Sequence, residues 1–212
     1  MREKNLFDLL AAAAEKKIHK AKLLLPAGQQ ATMESLAAEV AGCARCSLRL
    51  GASRVIFGEG NPRAKLIFVG DVPGADEERQ GLPFVGASGQ LLNKILAAAE
   101  ISRDEIYLTD VIKCRPPENW QPQAEALAAC QGHLQQQIKL ISPAIIVCLG
   151  SFAAKALVNS SAHGNMVRGR WFELNGIRLM PTFHPAELLL DPIKKKPVWQ
   201  DIQKVRDAYR SL

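Results

Sequence analysis

From residue 65 onward the chain alternates short, continuously apolar runs with longer segments of helical periodicity, and this alternation limits the fold more than any other feature. Residues 65–70, 106–114, 144–149 and 178–182 read as strands, and 88–100, 123–140, 151–158 and 198–211 as helices. A strand that is apolar along its whole length has both faces buried, which is the condition of a parallel sheet covered by helices on either side. The fold class is therefore α/β. In open sheets of this kind ligands sit outside the carboxyl ends of the strands. That rule alone directs attention to the loops after Gly70, Asp110, Gly150 and Thr182.

The first forty residues follow a different pattern. Leu6, Leu9, Leu10 and Ala13 fall at helical spacing within 5–23, Pro26-Ala27-Gly28 interrupts, and a second helix is expected over 33–41 with Thr32 or Ser35 as its cap. Residues 1–42 read as an N-terminal helical extension and 43–212 as the main domain. With 27 Lys+Arg against 21 Asp+Glu, the net charge of +6 permits an anionic partner without requiring one. No apolar run approaches the roughly 20 residues needed to cross a bilayer, and the charged start lacks the pattern of a secretory signal. A cytoplasmic protein without a membrane partner is expected.

Five cysteines in a reducing compartment are poor material for a disulfide framework. Cys43 and Cys46 form a C-x2-C half-site, and Cys114 and Cys130 follow at a strand end and in the next helix. Four thiolates brought together by the fold suit zinc or an iron–sulfur group, with inert buried thiols as the plain reading. Cys148, inside the 144–149 strand, reads as core.

The loop after the first strand carries Asp71 beside Val72-Pro73-Gly74, and glycines there let backbone amides approach a ligand. A carboxylate at that edge can orient a water molecule, or it can simply be solvated. His184 follows the last strand and precedes a rigidifying Pro185, whereas His19, His133 and His163 have ordinary helical or loop settings. Lys194, Lys195, Lys196, Arg168 and Arg170 offer charge to phosphates or to bulk water.

From Cys43 to the C-terminus these motifs resemble the family 4, iron–sulfur, uracil-DNA glycosylases. The resemblance rests on Gly70–Gly74, Gly81-x-Pro83-Phe84-Val85-Gly86, Gly89-Gln90-Leu91-Leu92, Lys113-Cys114-Arg115-Pro116-Pro117, His184-Pro185 and the cysteine spacing. It implies a three-layer α/β/α sandwich around a central four-stranded parallel sheet. It also implies a [4Fe-4S] cluster on Cys43, Cys46, Cys114 and Cys130, and hydrolysis of the bond between uracil and its deoxyribose. The implied partner is DNA, single- or double-stranded, with the target base flipped out and the enzyme acting as a monomer. By the same resemblance Asp71 positions water, His184 donates toward the base O2, Phe84 stacks on the base, and Gly70, Val72 and Asp110 complete its pocket. Glu187 and Leu188 occupy the stretch that meets the duplex.

Three pocket positions depart from that pattern. The family usually has Glu where Asp71 stands, Ala or Gly where Val72 stands, and Asn where Asp110 stands. An ionised Asp110 only accepts hydrogen bonds, whereas a protonated one both donates and accepts and can pair with uracil or cytosine. Relaxed or shifted base selectivity is the expected consequence. A glycosylase for another damaged base, or a nucleic-acid-binding module without chemistry, are the alternatives. Trp120, where the family tends to have Arg, would stack on a nucleotide or cover the cysteines.

Overall fold

A computed structural model describes residues 32–120, 124–158 and 167–212. The helix expected over 5–23, with His19, and the loop holding His163 lie outside them. The sheet has six strands in the order β1-β3-β2-β4-β6-β5. In chain order they are β1 (Glu59–Gly60), β2 (Leu66–Gly70), β3 (Tyr107–Asp110), β4 (Ile145–Leu149), β5 (Phe172–Leu174) and β6 (Ile177–Thr182). Neighbours among β3, β2, β4 and β6 run parallel, while β1 and β5 are antiparallel edges. The sheet is thus mixed and has six strands, two antiparallel edge strands more than the parallel four expected.

Both additional strands escape the apolar-run criterion for physical reasons. β1 is two residues long and not buried, and β5 is half-exposed, as edge strands are. β5 joins β6 through Asn175-Gly176, whose φ values of 52° and 83° are those a two-residue hairpin needs. The strand expected over 106–114 stops at Asp110 because its partner β2 stops at Gly70. Beyond that point Val111 and Ile112 donate their N–H groups to the Gly70 and Asp71 carbonyls, and the chain turns away.

Alternate residues of the buried strands face opposite layers, as the two-residue period of a strand requires. Leu66, Phe68, Val147 and Met180 pack with Leu92, Leu96, Ile202 and Val205 of the Ala87–Ala98 and Lys195–Arg210 helices. Ile67, Val69, Ile146, Cys148 and Leu179 pack with Leu134, Ile141, Ala153 and Leu157 of the Ala124–Ile141 and Ser151–Leu157 helices. Cys148 is fully buried, as the plain reading had it. The Met33–Ala41 helix begins as expected. Thr32 Oγ1 accepts from the Ser35 N–H at 3.2 Å and Ser35 Oγ from the Thr32 N–H at 2.9 Å, so both candidate caps are used. No helix of the described residues is long and apolar enough to cross a membrane.

One buried ion pair fixes the end of β6. Asp201, 1% exposed, accepts from Thr182 Oγ1 at 2.7 Å and from Arg168 Nη2 at 2.6 Å. Arg168 also donates to the Pro197 carbonyl, so this arginine is built into the fold rather than held out for a phosphate. Removing one member of such a pair leaves an uncompensated buried charge. Asp201→Ala is expected to lower stability by about 3 kcal/mol in urea unfolding; a loss under about 1 kcal/mol would contradict this account.

Candidate active site

Gly70 and Asp110 are register partners at the ends of β2 and β3, and Leu149 and Thr182 are partners at the ends of β4 and β6. The four loops flagged by the strand-end rule therefore open on one edge. How tightly they converge is read at Gly70. A Cβ there would overlap Asp110 Oδ1, come within 2.6 Å of Phe84 Cζ and lie 3.4 Å from His184 Nε2. A cavity of about 460 Å³ opens at this point, with Asp71, Val72, Phe84, Asp110, His184 and Glu187 in its wall.

Phe84 is held in an unusual backbone conformation. Its φ is +54°, a region few side-chain-bearing residues occupy, and its ring is 3% exposed. Glu77 Oε1 accepts the Val85 and Gly86 N–H groups at 3.0 and 2.9 Å, while its Oε2 accepts from Gly74 at 3.1 Å. From the other side Arg103 donates to the Pro83 and Phe84 carbonyls at 3.0 and 3.4 Å, anchored on Glu59 and Asn93 at 2.6 Å each. Gly89 admits the turn, since a Cβ there would overlap the Phe84 carbonyl. Sequence reasoning missed both clamps. Glu77 left a signal, three residues after Gly74 at capping-box spacing, whereas Arg103 acts across 19 residues and left none.

The Phe84 and His184 rings stack with centroids 6.0 Å apart at 27°. A planar ligand between two rings needs about 7 Å, twice the optimal carbon–carbon separation. The two rings therefore form one continuous wall, with no room for a planar group between them. His184 is the N-cap of the Pro185–Leu190 helix. Its Nδ1 accepts the Ala186 N–H at 3.1 Å, which leaves Nε2 to carry the proton of the neutral ring. Burial pulls its pKa down to about 4 against the opposing fields of Glu187 and Glu77.

Asp71 Oδ1 accepts the Ala153 N–H at 2.7 Å at the start of the Ser151–Leu157 helix. Burial, with Glu187 adding repulsion, raises its pKa to about 7 against backbone bonds from Ala153 and Phe152 and the charge of Lys155. Asp110 is 3% exposed, and no group among the described residues donates to its carboxyl. Burial first, then Asp71 and Glu77, push it up to about 7, while Lys113 pulls it down. Lys113, itself 1% exposed, has its ammonium on Thr109 Oγ1, the Asp110 carbonyl and Gln137 Oε1 at 2.6 to 2.7 Å.

Glu187 lines the cavity, where its Oε1 accepts the His184 N–H at 3.1 Å and its Oε2 pairs with Lys194 at 2.8 Å. Leu188 requires correction: it is 1% exposed and belongs to the core, so it cannot meet DNA. Leu190 and Ile193 are the exposed apolar side chains of this segment, at 89% and 85%.

Behind the cavity, Cys114 and Cys130 lie in an apolar cluster with Leu48, Ala52 and Ile112, against which Cys46, Val72, Trp120 and Phe152 pack. Burial raises the Cys114 thiol, and Cys130, Cys46 and Cys43 each raise it further while Arg49 lowers it. Among the described residues no three His, Cys, Asp or Glu side chains gather closely enough to hold a single metal ion. Trp120 meets Phe152 edge-on at 6.5 Å and covers this region.

Residues 57–203 match the family model described as the Uracil DNA glycosylase superfamily. The type-4 uracil-DNA glycosylase of Thermotoga maritima is 39% identical over 178 residues, covering 82% of this chain and 93% of its own. That of Sulfurisphaera tokodaii is 36% identical over 185 residues, covering 83% and 84%. That of Archaeoglobus fulgidus is 34% identical over 182 residues, covering 82% and 92%.

The depressed His184 pKa has a readable consequence. Between the unfolded value near 6.5 and the folded value near 4, an unfolded chain binds a proton that the folded one refuses, so His184 makes stability fall as pH drops through that window. Nitrogen NMR should show a neutral, Nε2-protonated ring at pH 6, and an imidazolium signal there would refute the assignment.

Proposed function

The chain belongs to the uracil DNA glycosylase superfamily and is a DNA glycosylase, a hydrolase, and from that premise we propose that the cavity at Gly70 removes uracil from DNA in base-excision repair. The observation that carries this reading is the convergence of Asp110, Phe84 and His184 around a residue without a side chain. An enzyme acting on a base must take it out of the stack and hold it in a closed pocket. Here the extruded base lies against the Phe84 ring, and the missing Cβ of Gly70 lets that ring and the Asp110 carboxyl close in on the strand end.

As the bond between the sugar and the base N1 breaks, its electron pair leaves with the base and negative charge builds on O2. His184 Nε2–H points its donor at that oxygen, and being neutral it need not lose charge to do so. One preorganised donor of this kind is worth about 3–4 kcal/mol. Asp71 orients the attacking water, balances positive charge on the sugar, and accepts the proton as the water adds. Exposed Leu190 and Ile193, beside Lys195 and Lys196, meet the duplex and its phosphates.

The cysteine centre fits an iron–sulfur group in its donor chemistry. Cys114 and Cys130 lie in one apolar cluster with Cys46 packed on it, and the charge of Cys43 reaches the Cys114 thiol. They would hold a [4Fe-4S] cluster, which when bound supplies a covalent pin between the N-terminal segment and the loop and helix behind the pocket. Residues 43–212 would then form the catalytic unit, with 1–42 as its extension, in a cytoplasmic, monomeric enzyme.

Asp110 is the basis for relaxed or shifted selectivity. Protonated, it accepts from the uracil N3–H and donates to O4, or donates to cytosine N3 and accepts from the N4 amino group. Release of uracil, cytosine and hypoxanthine from single- and double-stranded oligonucleotides tests this directly. Strong, uracil-only release that is unchanged in Asp110→Asn would defeat it. His184→Ala is expected to cut uracil release by about 10²- to 10³-fold with the iron–sulfur absorbance intact, and full activity in that variant would remove His184 from its role. Arg103→Met, which frees the Pro83 and Phe84 carbonyls, is expected to lower kcat/KM about tenfold, a loss that should vanish when Phe84 is already Ala.

A further inference from the structure

The two aspartates of the pocket are not equivalent, and their difference is visible in what surrounds each carboxyl. Asp71 receives the Ala153 N–H at 2.7 Å, and the Phe152 amide also stabilises its charge. Asp110 receives no donor among the described residues, yet it is the more deeply buried of the two. Backbone donors favour a charged carboxylate, and burial without donors favours a neutral acid. Both groups line one cavity, and the charge on Asp71 acts on Asp110.

We propose that Asp71 and Asp110 act as one unit sharing a single proton, with the charge on Asp71 and the hydrogen on Asp110, and that this singly protonated pair is the active form. The proposal rests on the glycosylase reading for its substrate but not for its existence. Carboxyls that repel across a shared site lose their protons in two separated steps belonging to the pair. With both protonated, no carboxylate is available to take the water proton. With both ionised, Asp110 presents only acceptors, and uracil O4 faces like polarity.

In the singly protonated state each group has its task. Asp110 C=O accepts from the uracil N3–H, and its O–H donates to O4 without leaving the enzyme. Asp71 takes the proton of the water whose oxygen joins the sugar carbon, while the base departs with the bonding pair. That proton then passes through solvent to the released base anion, so the pair returns to its starting state and the sum is DNA plus water giving abasic DNA plus uracil.

The charged groups facing the pair act in both directions, so the division rests on burial and on the backbone donors at Asp71. Asp110 meets Lys113 from its own loop, Asp71 from the loop after β2, and Glu77 from the Ala75–Gln80 helix, with His184 across Gly70. The Lys113 ammonium is committed to the Asp110 carbonyl, Thr109 and Gln137, so it moderates the local field without donating to the carboxyl. Asp71 meets Glu187 and Lys155, and its own charge raises the buried Cys148 thiol. The net result is that both carboxyls sit near pKa 7 instead of in the usual acid range.

Two measurements on the full protein test the pair. Single-turnover uracil release should rise about tenfold per pH unit on the acid side and fall about tenfold per unit on the alkaline side. Asp110→Asn should lose the alkaline fall and keep the acid rise. Infrared spectroscopy at pH 7 should show the carbonyl stretch of a buried carboxylic acid that disappears in Asp110→Asn and persists in Asp71→Asn. An alkaline fall that survives in Asp110→Asn overturns the proposal, as does a pH 7 spectrum without that band. Should no base be released from any oligonucleotide, the glycosylase reading fails, and the infrared band still decides the pair.

Discussion

Position 70 has no side chain, and the pocket depends on that vacancy. β2 and β3 run parallel and end together, so Gly70 and Asp110 are placed side by side by the sheet's own register. Any Cβ at 70 would overlap the Asp110 carboxyl and press on the Phe84 ring. The absence of atoms at one strand end thus lets Asp110 and Phe84 close in there, while the neighbouring strands and loops supply the other walls of the cavity. Because the parallel register is fixed by hydrogen bonds and by buried apolar residues on both faces, the walls are rigid on three sides.

The fourth side is a loop held in a costly conformation. A left-handed Phe84 persists only where its surroundings over-determine it. Glu77 fixes the amides that follow it and Arg103 the carbonyls at and before it, so the ring direction is set by charge-assisted bonds rather than by packing alone. The same economy appears at His184, whose ring is turned by capping its own helix. In both places a polar group that closes a turn also aims a side chain at the cavity.

How much of this could be read from the sequence follows from which interactions are local. Strands buried on both faces announce themselves as apolar runs, and β2 and β4 appeared within a residue of their bounds. Gly70, Asp110 and His184 were legible because strand ends point at them, whereas Phe84 was named only through the motif that the family resemblance supplied. Edge strands carry no such run, although Asn175-Gly176 was a hairpin signal standing in plain view. Leu188 misled because its neighbours share its chemistry: in a run of three leucines, only the helix phase decides which one turns inward, and Leu188 is that one. Arg103, Lys113 and Asp201 act across the fold, and nothing near them in the chain declares their partners.

The cysteine region and the pocket share a wall, so a group held by the thiols would act on the pocket through position. Phe152 packs on the cysteine cluster, and its backbone amide, with that of Ala153, stabilises the Asp71 carboxylate. Val72 follows Asp71 directly, lines the cavity and packs on the same cluster. Lys113 precedes Cys114, and its ammonium ties Thr109 and the Asp110 peptide to Gln137 on the helix that carries Cys130. A pin through those thiols would therefore immobilise both carboxyls of the pocket, one through Phe152 and Val72 and the other through Lys113. Displacement of either carboxyl by 1 Å is enough to cost a reaction of this kind about a hundredfold. On that account a group held by those thiols would serve the rate through position, since what it would stiffen are the two carboxyls of the pocket.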